Sequence, residues 1–408
     1  MFMHIAIVGG GPAGAWAALK LARAGARVTV FDASHPREKP CGGGLTGRAV
    51  QLIVSELGTL PAPAVSIRAA RFEREMAAPA PRASVVDGDA ATVRLDRHGV
   101  SPRSALVVVS RALFDRGLLD AAINAGATLV GERVVDVNIE TGGARIRTRT
   151  DSYHADIVLG ADGANSLVRR RVRAAFARHQ LSLGAGYFVH GASSEDIAIR
   201  WVADPPGYLW SFPRPDHLAV GMCAESRDTP GVEALRRHSA NWIAAAGLAP
   251  TPVRVEPYAW PIPTLDVEDF DGLPLAADRW MLLGDAAGLV DPLTREGIYY
   301  ALLSAEMAAA AIGSGERNPA AAYRTHVADA VVPELRRAAA LKRGFFGSAF
   351  SRLIVQALEE SEAIREVMSD LISGRQPYIG LRRRLLSTGH LGLALKVITR
   401  GWGLAHGY

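Results

Sequence analysis

MHIAIVGGGPAGAWAALKLARAGARVTVFD, residues 3–32, runs from a hydrophobic stretch through three glycines into an alanine- and leucine-rich stretch that stops at Gly25. A second hydrophobic stretch then ends on Asp32. The pattern reads as buried strand, tight turn, helix and second strand, a compact βαβ unit. Within it Gly9, Gly11 and Gly14 have the G-x-G-x-x-G spacing, with a strand before and a helix after. The first glycine permits the turn, the second lets backbone approach a pyrophosphate, and the third lets helix and strand pack closely. Helix N-terminal amides then face the phosphates. Asp32 stands where a carboxylate holds an adenosine ribose. The plainer reading is a glycine-rich turn followed by a solvated strand end.

Outward from this unit, the chain alternates between parallel α/β and β-rich character. Residues 111–127 read as a helix, DIVLGADG (156–163) as a strand entering a turn, and 181–260 as short strands interrupted by one helix near 232–246. RWMLLGDAAGL (279–289) is a strand ending in a turn, 298–313 a helix, and the chain beyond about 320 looks helical. The expected fold is α/β: a Rossmann-like dinucleotide-binding domain (1–75, 100–175 and 275–325), an inserted antiparallel β-sheet substrate domain (76–99 and 176–274) and a C-terminal helical region (326–408).

The 408 residues are 49% hydrophobic and 21% charged, which suits a globular enzyme and excludes a disordered chain. The net charge of +5 comes from 46 basic and 41 acidic residues without a long basic tract, so nucleic acid is not an expected partner. Two distant cysteines, Cys41 and Cys223, make no disulfide framework and fit a reducing cytosol. No run is long enough to span a bilayer, and neither a leader ahead of the first strand nor a metal-ligand set is expected.

Three further motifs carry chemistry. Gly284-Asp285-Ala-Ala-Gly leads through Val290-Asp-Pro292-Leu-Thr-Arg-Glu-Gly297 to a helix at Ile298. Asp285 suits a polyol hydroxyl, and the amides of Gly297 and Ile298 suit an anionic ring edge. Asp162-Gly-Ala-Asn-Ser166-Leu-Val-Arg169 is either a capped turn or a second cofactor motif. Arg111 opens its helix, where a cation opposes the dipole, so a ligand phosphate is one explanation. KPCGGGL (39–45) sets a thiol, Cys41, between a proline and three glycines. Tyr208, Trp210 and Phe212 alternate, and on a strand they share one face.

Together GGGPAG, DGANSLVR and GDAAG resemble the flavin signatures of the flavoprotein hydroxylase superfamily. KPCGGGL, PPGYLWSFP (205–213) and VDPLTREGIYY (290–300) resemble the geranylgeranyl reductase family within it. The resemblance implies FAD, contacted by Ala13, Asp32, Cys41, Gly42, Gly44, Arg111, Val134, Asp285, Gly297 and Ile298, with Gly9, Gly11, Gly14 and Asp162 in the surrounding motifs. It implies that KPCGGGL passes over the flavin ring. It also implies reduction of isolated C=C bonds in a hydrophobic prenyl substrate, bounded by Tyr208, Trp210, Phe212 and Pro292, with Cys41, Tyr208 and Trp210 nearest the chemistry. Electrons would come from NADPH or a reduced ferredoxin. Asp32 departs from the usual glutamate, and Arg295 from the usual small residue.

Three other readings stand beside this one. A hydroxylase of the same superfamily shares the DG and GD motifs but not KPCGGG or YLWSFP. A flavin or lipid carrier would bind without turnover. A halogenase is opposed by Tyr208 where its motif needs tryptophan. Arg382, Arg383 and Arg384, beside apolar runs, suit either a solvated face or an anionic membrane surface at the inner side of a cytoplasmic membrane. The sequence leaves the oligomeric state and the identity of the prenyl chain open.

Overall fold

The structure, a computed structural model, describes residues 3–74, 90–96, 105–249, 254–346 and 348–388. The described chain forms two compact units: Met1–Lys39, Arg111–Gln180 and Ile262–Arg336 in the first, and Pro40–Ser110, Leu181–Pro261 and Arg337–Tyr408 in the second.

The first unit is built on a six-stranded sheet in the order Ala276–Ala277, Trp280–Leu282, Ile157–Gly160, His4–Val8, Arg27–Phe31, Thr128–Val130. Its strands are parallel apart from the two-residue edge. Ile5, Ile7, Val28 and Val30 are buried, as the near-continuous apolar runs require of a parallel sheet covered on both faces. Helix Pro12–Arg23 begins with proline at its first turn, where the missing N–H costs nothing. It stops where Gly25 takes φ +82° and the amides of Gly25 and Ala26 close on the carbonyls of Ala22 and Leu21 at 2.9 and 3.0 Å. This helix packs against Arg111–Asn124 and Ile298–Gly313. Trp16 donates its indole N–H to Glu306 at 2.8 Å. An antiparallel three-stranded sheet, Ser152–Ala155, Gly143–Arg147 and Asp136–Glu140, completes the unit.

The second unit carries a seven-stranded sheet in the order Arg254–Pro263, Leu181–His190, His217–Glu225, Pro206–Pro213, Asp196–Ala203, Ala69–Glu73, Ala90–Arg94. Helix Val232–Ala245 covers one face, where Leu235, Trp242 and Ile243 meet Leu209, Leu218, Val220 and Met222. Side chains alternate along a strand, so Tyr208, Trp210 and Phe212 occupy the opposite face. Helices Ser348–Glu360, Glu362–Ile372 and Leu381–Leu386 belong to this unit. Lys342 ties the chain ahead of them to the sheet through a buried 2.9 Å ion pair with Glu225.

The α/β class, the βαβ opening and the β-rich insertion are as the sequence implies. The division of the chain differs from the expected boundaries. Residues 40–74 and 105–110 group with the β-rich unit because Gly44–Thr46 and Ala64–Ser66 both pair with Leu106–Val109, and the chain then enters the large sheet as Ala69–Glu73. Residues 262–274 group with the first unit. The expected segment 76–99 is described only at 90–96, and 389–408 of the expected helical region lies outside the described residues.

Candidate active site

In the first unit the glycine turn divides its labour. Gly9 has φ +103°, and a Cβ there would lie 2.4 Å from the carbonyl oxygen of Ala161. A Cβ at Gly14 would lie 1.8 Å from the carbonyl oxygen of Gly9. Packing inside the protein therefore demands both. A Cβ at Gly11 would meet nothing within 4 Å. Gly11 is the N-cap of helix Pro12–Arg23, so its open side adjoins first-turn amides, including those of Ala13 and Gly14, that have no intrahelical acceptor. A backbone left bare toward a helix N-terminus fits a phosphate-bearing group.

Asp32 faces the same turn. Its Oδ2 accepts the Gly10 amide at 2.7 Å, and its Oδ1 accepts the Ser34 amide and hydroxyl, both at 2.6 Å. Burial pushes the carboxyl up, but these hydrogen bonds and the neighbouring His35 outweigh it and hold it below the usual carboxylate range. Arg111 is buried at the start of Arg111–Asn124, and its guanidinium makes a two-pronged pair with Asp115, both bonds 2.7 Å. Glu38 caps that helix, accepting the Arg111 amide at 2.7 Å. The cation that opens this helix thus has a partner one turn away. Val134 is buried between strands Thr128–Val130 and Asp136–Glu140.

Asp162 serves the protein in the plainer of its two readings. It accepts the Ser166 hydroxyl at 2.5 Å and the amides of Leu167 and Val168 at 2.6 and 3.2 Å, while Ser166 accepts the Arg169 amide. Burial pushes its carboxyl up against those bonds, with a net rise. Arg169 lies 3.8 Å over the Phe176 ring and donates to the Ala286 carbonyl at 3.2 Å, joining the DGANSLVR turn to GDAAG. Asp285 pairs with Lys39 at 3.3 Å, and a Cβ at Gly297 would lie 3.1 Å from Asp285 Oδ1. Gly297 is the N-cap of Ile298–Gly313 and has no side-chain cap bond, so the carboxylate and a long helix's first amides stand together. Pro292 is buried in the turn before it, beside Asp291, whose Oδ1 accepts the Leu293 and Thr294 amides. Arg295 sits at φ +63°, a left-handed conformation that favours glycine and costs a side chain about 1–2 kcal/mol.

In the second unit, the glycines after Cys41 have a use that does not need a ligand. Cβ atoms at Gly42 and Gly44 would come within 3.0 and 3.2 Å of the Phe212 ring. Gly43 has φ +79°, and a Cβ there would lie 2.4 Å from the Val109 carbonyl oxygen. Tyr208 stacks on Phe346 at 5.9 Å and stands 6.0 Å from Trp210. Phe346 meets Phe345, which meets Trp201, which stacks on Phe72. The result is a continuous aromatic wall on one side of the sheet. Beneath it, a Cβ at Gly221 would meet the Trp210 ring and the Tyr258 hydroxyl, each at 2.5 Å. The Tyr258 hydroxyl is buried beside Trp210, and burial pushes its pKa far up. Arg214, buried, donates to the Cys41 carbonyl at 2.5 Å.

The FAD binding domain family matches residues 3–320. The geranylgeranyl diphosphate reductase of Oryza sativa subsp. japonica is 30% identical over 340 residues, 78% of this chain and 67% of that protein. The menaquinone reductase of Mycolicibacterium smegmatis is 30% identical over 337 residues, 76% of each chain. The chain belongs to the geranylgeranyl reductase family of FAD-dependent oxidoreductases. Its fold is also that of a geranylgeranyl bacteriochlorophyll reductase-like protein of Thermoplasma acidophilum, with TM-score 0.75 and 20% identity over 95% of this chain and 99% of that one.

FAD fits the first unit on the chain's own geometry: Gly11 is open, Asp32 is held ionised, and Asp285 stands at a helix N-terminus. Sequence reasoning missed Asp115, Glu38, Arg214 and Tyr258. Asp115 had a signal, the i,i+4 spacing from Arg111. Arg214 had one too, because it continues the alternation of Tyr208, Trp210 and Phe212.

Proposed function

We propose that the protein saturates isolated C=C bonds of a prenyl or isoprenoid chain, drawn from geranylgeranyl lipids, prenylquinones and prenylated natural products. The carrying observation is the aromatic wall Tyr208–Trp210–Phe212 in a family whose named relatives include a geranylgeranyl diphosphate reductase and a menaquinone reductase. When bound and reduced, FAD supplies a hydride. Gly11, Ala13 and Gly14 would hold the phosphates, Asp32 the ribose, and Asp285, Gly297 and Ile298 the polar edge of the cofactor. Arg111, Val134 and the main chain of Asp162, Cys41, Gly42 and Gly44 belong to the same set of proposed contacts.

The protein's own part in the chemistry is exclusion and charge. An isolated alkene accepts hydride more easily as positive charge builds on its more substituted carbon. Rings facing that carbon stabilise the charge by roughly 0.5–2 kcal/mol each. An apolar wall also keeps out the water that would trap it. Electrons arrive from NADPH or a reduced ferredoxin. Among the described residues no helix is long and apolar enough to cross a membrane. Exposed Arg382 and Arg383 support a peripheral contact with an anionic inner leaflet, whereas Arg384 pairs with Asp370.

The test is anaerobic. The flavin is reduced with dithionite, geranylgeranyl diphosphate and menaquinone are added separately, and absorbance is followed. Reoxidation by a prenyl lipid, absent with its saturated counterpart, is the expected outcome. A flavin that stays reduced with every prenyl lipid contradicts the reading.

A further inference from the structure

We propose that Arg214 is a positioning residue for Cys41, fixing its loop by the carbonyl and standing as the counter-cation of the thiolate left when Cys41 gives up its proton. The acid role of Cys41 rests on the reductase reading; the pairing of Arg214 with the thiolate does not.

The geometry carries it. Arg214 lies just past the end of strand Pro206–Pro213, two residues after Phe212, so the chain that presents three rings on one face leads directly into a cation. Its Nη2 donates to the Cys41 carbonyl at 2.5 Å and lies 3.9 Å from Cys41 Sγ. Arg214 is 1% exposed, and its guanidinium faces the Phe188 ring at 5.0 Å. Its backbone amide is held by the His217 carbonyl at 2.8 Å. A Cβ at Gly43 would reach within 3.3 Å of its Nε, so the loop glycine and the arginine are fitted to each other.

Tyr258 and Asp216 also bear on the Arg214 guanidinium, each partly offsetting the effect of its burial. Asp216 is exposed and is engaged by His217 at 2.7 Å. Burial, then Arg214 itself, holds His217 below the usual histidine range, so it is neutral at pH 7. Tyr258 is kept protonated by burial. Burial pulls Arg214 down to about 10, which still leaves it charged at neutral pH. Lys39, two residues before Cys41, is occupied by Asp285. A buried cation beside sulfur favours the thiolate.

In the saturation step one new C–H bond would take up a hydride, with its two electrons, which bound reduced flavin would supply. The Cys41 S–H breaks, and its proton forms the second C–H bond on the neighbouring carbon. The thiolate stays paired with Arg214 until solvent returns a proton.

The experiment uses the flavin-loaded protein in a Cys223→Ala background, where Cys41 is the only thiol. Alkylation by iodoacetamide is timed by mass from pH 6 to 10. Arg214→Met should slow alkylation at pH 7 about tenfold and move the rate curve to higher pH, and Arg214→Lys should restore most of it. Superimposable curves in folded, flavin-retaining variants overturn the proposal. Should Arg214→Met fail to fold, thiolate absorbance at 240 nm, taken as the difference from Cys41→Ser, decides instead. A rise at lower pH than free cysteine in the same buffer supports the pairing, and a rise at or above it overturns it. Turnover is read separately: altered alkylation without turnover of any prenyl lipid leaves the pairing intact and removes the reductase reading.

Discussion

The Phe212 ring occupies the place of a side chain at Gly42: a Cβ on Gly42 would come within 3.0 Å of the ring. Gly42→Ala should therefore cost about 1–3 kcal/mol by overpacking. Phe212→Leu should relieve that cost, so a double-mutant cycle by urea denaturation should show coupling of more than about 0.5 kcal/mol. Additive costs would mean that the glycine serves something other than the ring.

Gly11 and Gly14 should separate ligand from fold. Gly14→Ala drives a Cβ into the Gly9 carbonyl at 1.8 Å and should destabilise the flavin-free protein by well over about 2 kcal/mol. Gly11→Ala meets no protein atom within 4 Å and should leave that stability within about 0.5 kcal/mol. It should weaken FAD roughly tenfold or more, read by titrating flavin fluorescence into stripped protein. Equal FAD affinity in Gly11→Ala and wild type would contradict the cradle.

Asp115→Ala should be among the most damaging single changes in the first unit. It strips a buried guanidinium of both its 2.7 Å bonds and should cost about 3–5 kcal/mol. Arg111→Met with Asp115→Leu together should recover much of that, measured by thermal and chemical denaturation.

Acid should weaken the fold through His35. Its side chain is 2% exposed, and burial holds it below the usual histidine range, with Asp32 and Asp115 pulling it back up and Arg37 and Arg111 pushing it down. The unfolded chain then binds the proton first, so stability is full above about pH 6.5 and falls as pH drops toward the folded-state value. His35→Gln should flatten the slope of unfolding free energy between pH 7.5 and 5. An unchanged slope would show that His35 does not couple to folding.

Much of the first unit was legible because its signals are local. Gly9, Gly14 and Gly25 sit where backbone must turn or approach closely, and the apolar runs around them have strand and helix length. Asp285 and Gly297 were legible for the same reason, as residues at a strand end and a helix start. What escaped is long-range. Nothing near residues 40–74 says that Gly44–Thr46 pairs with Leu106–Val109, so the unit boundary fell elsewhere. Nothing near CGGG says that Phe212 lies against it, so glycines read only as facing a flavin have a ring of the protein against them. Arg111 was read without Asp115, and a cation that looked available has a partner one turn on.

The central claim is that a prenyl double bond takes up hydrogen at this site. The direct measurement is the product mass after one anaerobic turnover of the reduced flavoprotein with a prenyl lipid. A product two mass units heavier, formed without oxygen, is what the account predicts. A product sixteen units heavier, formed only after oxygen is admitted, would make the protein a hydroxylase and contradict it.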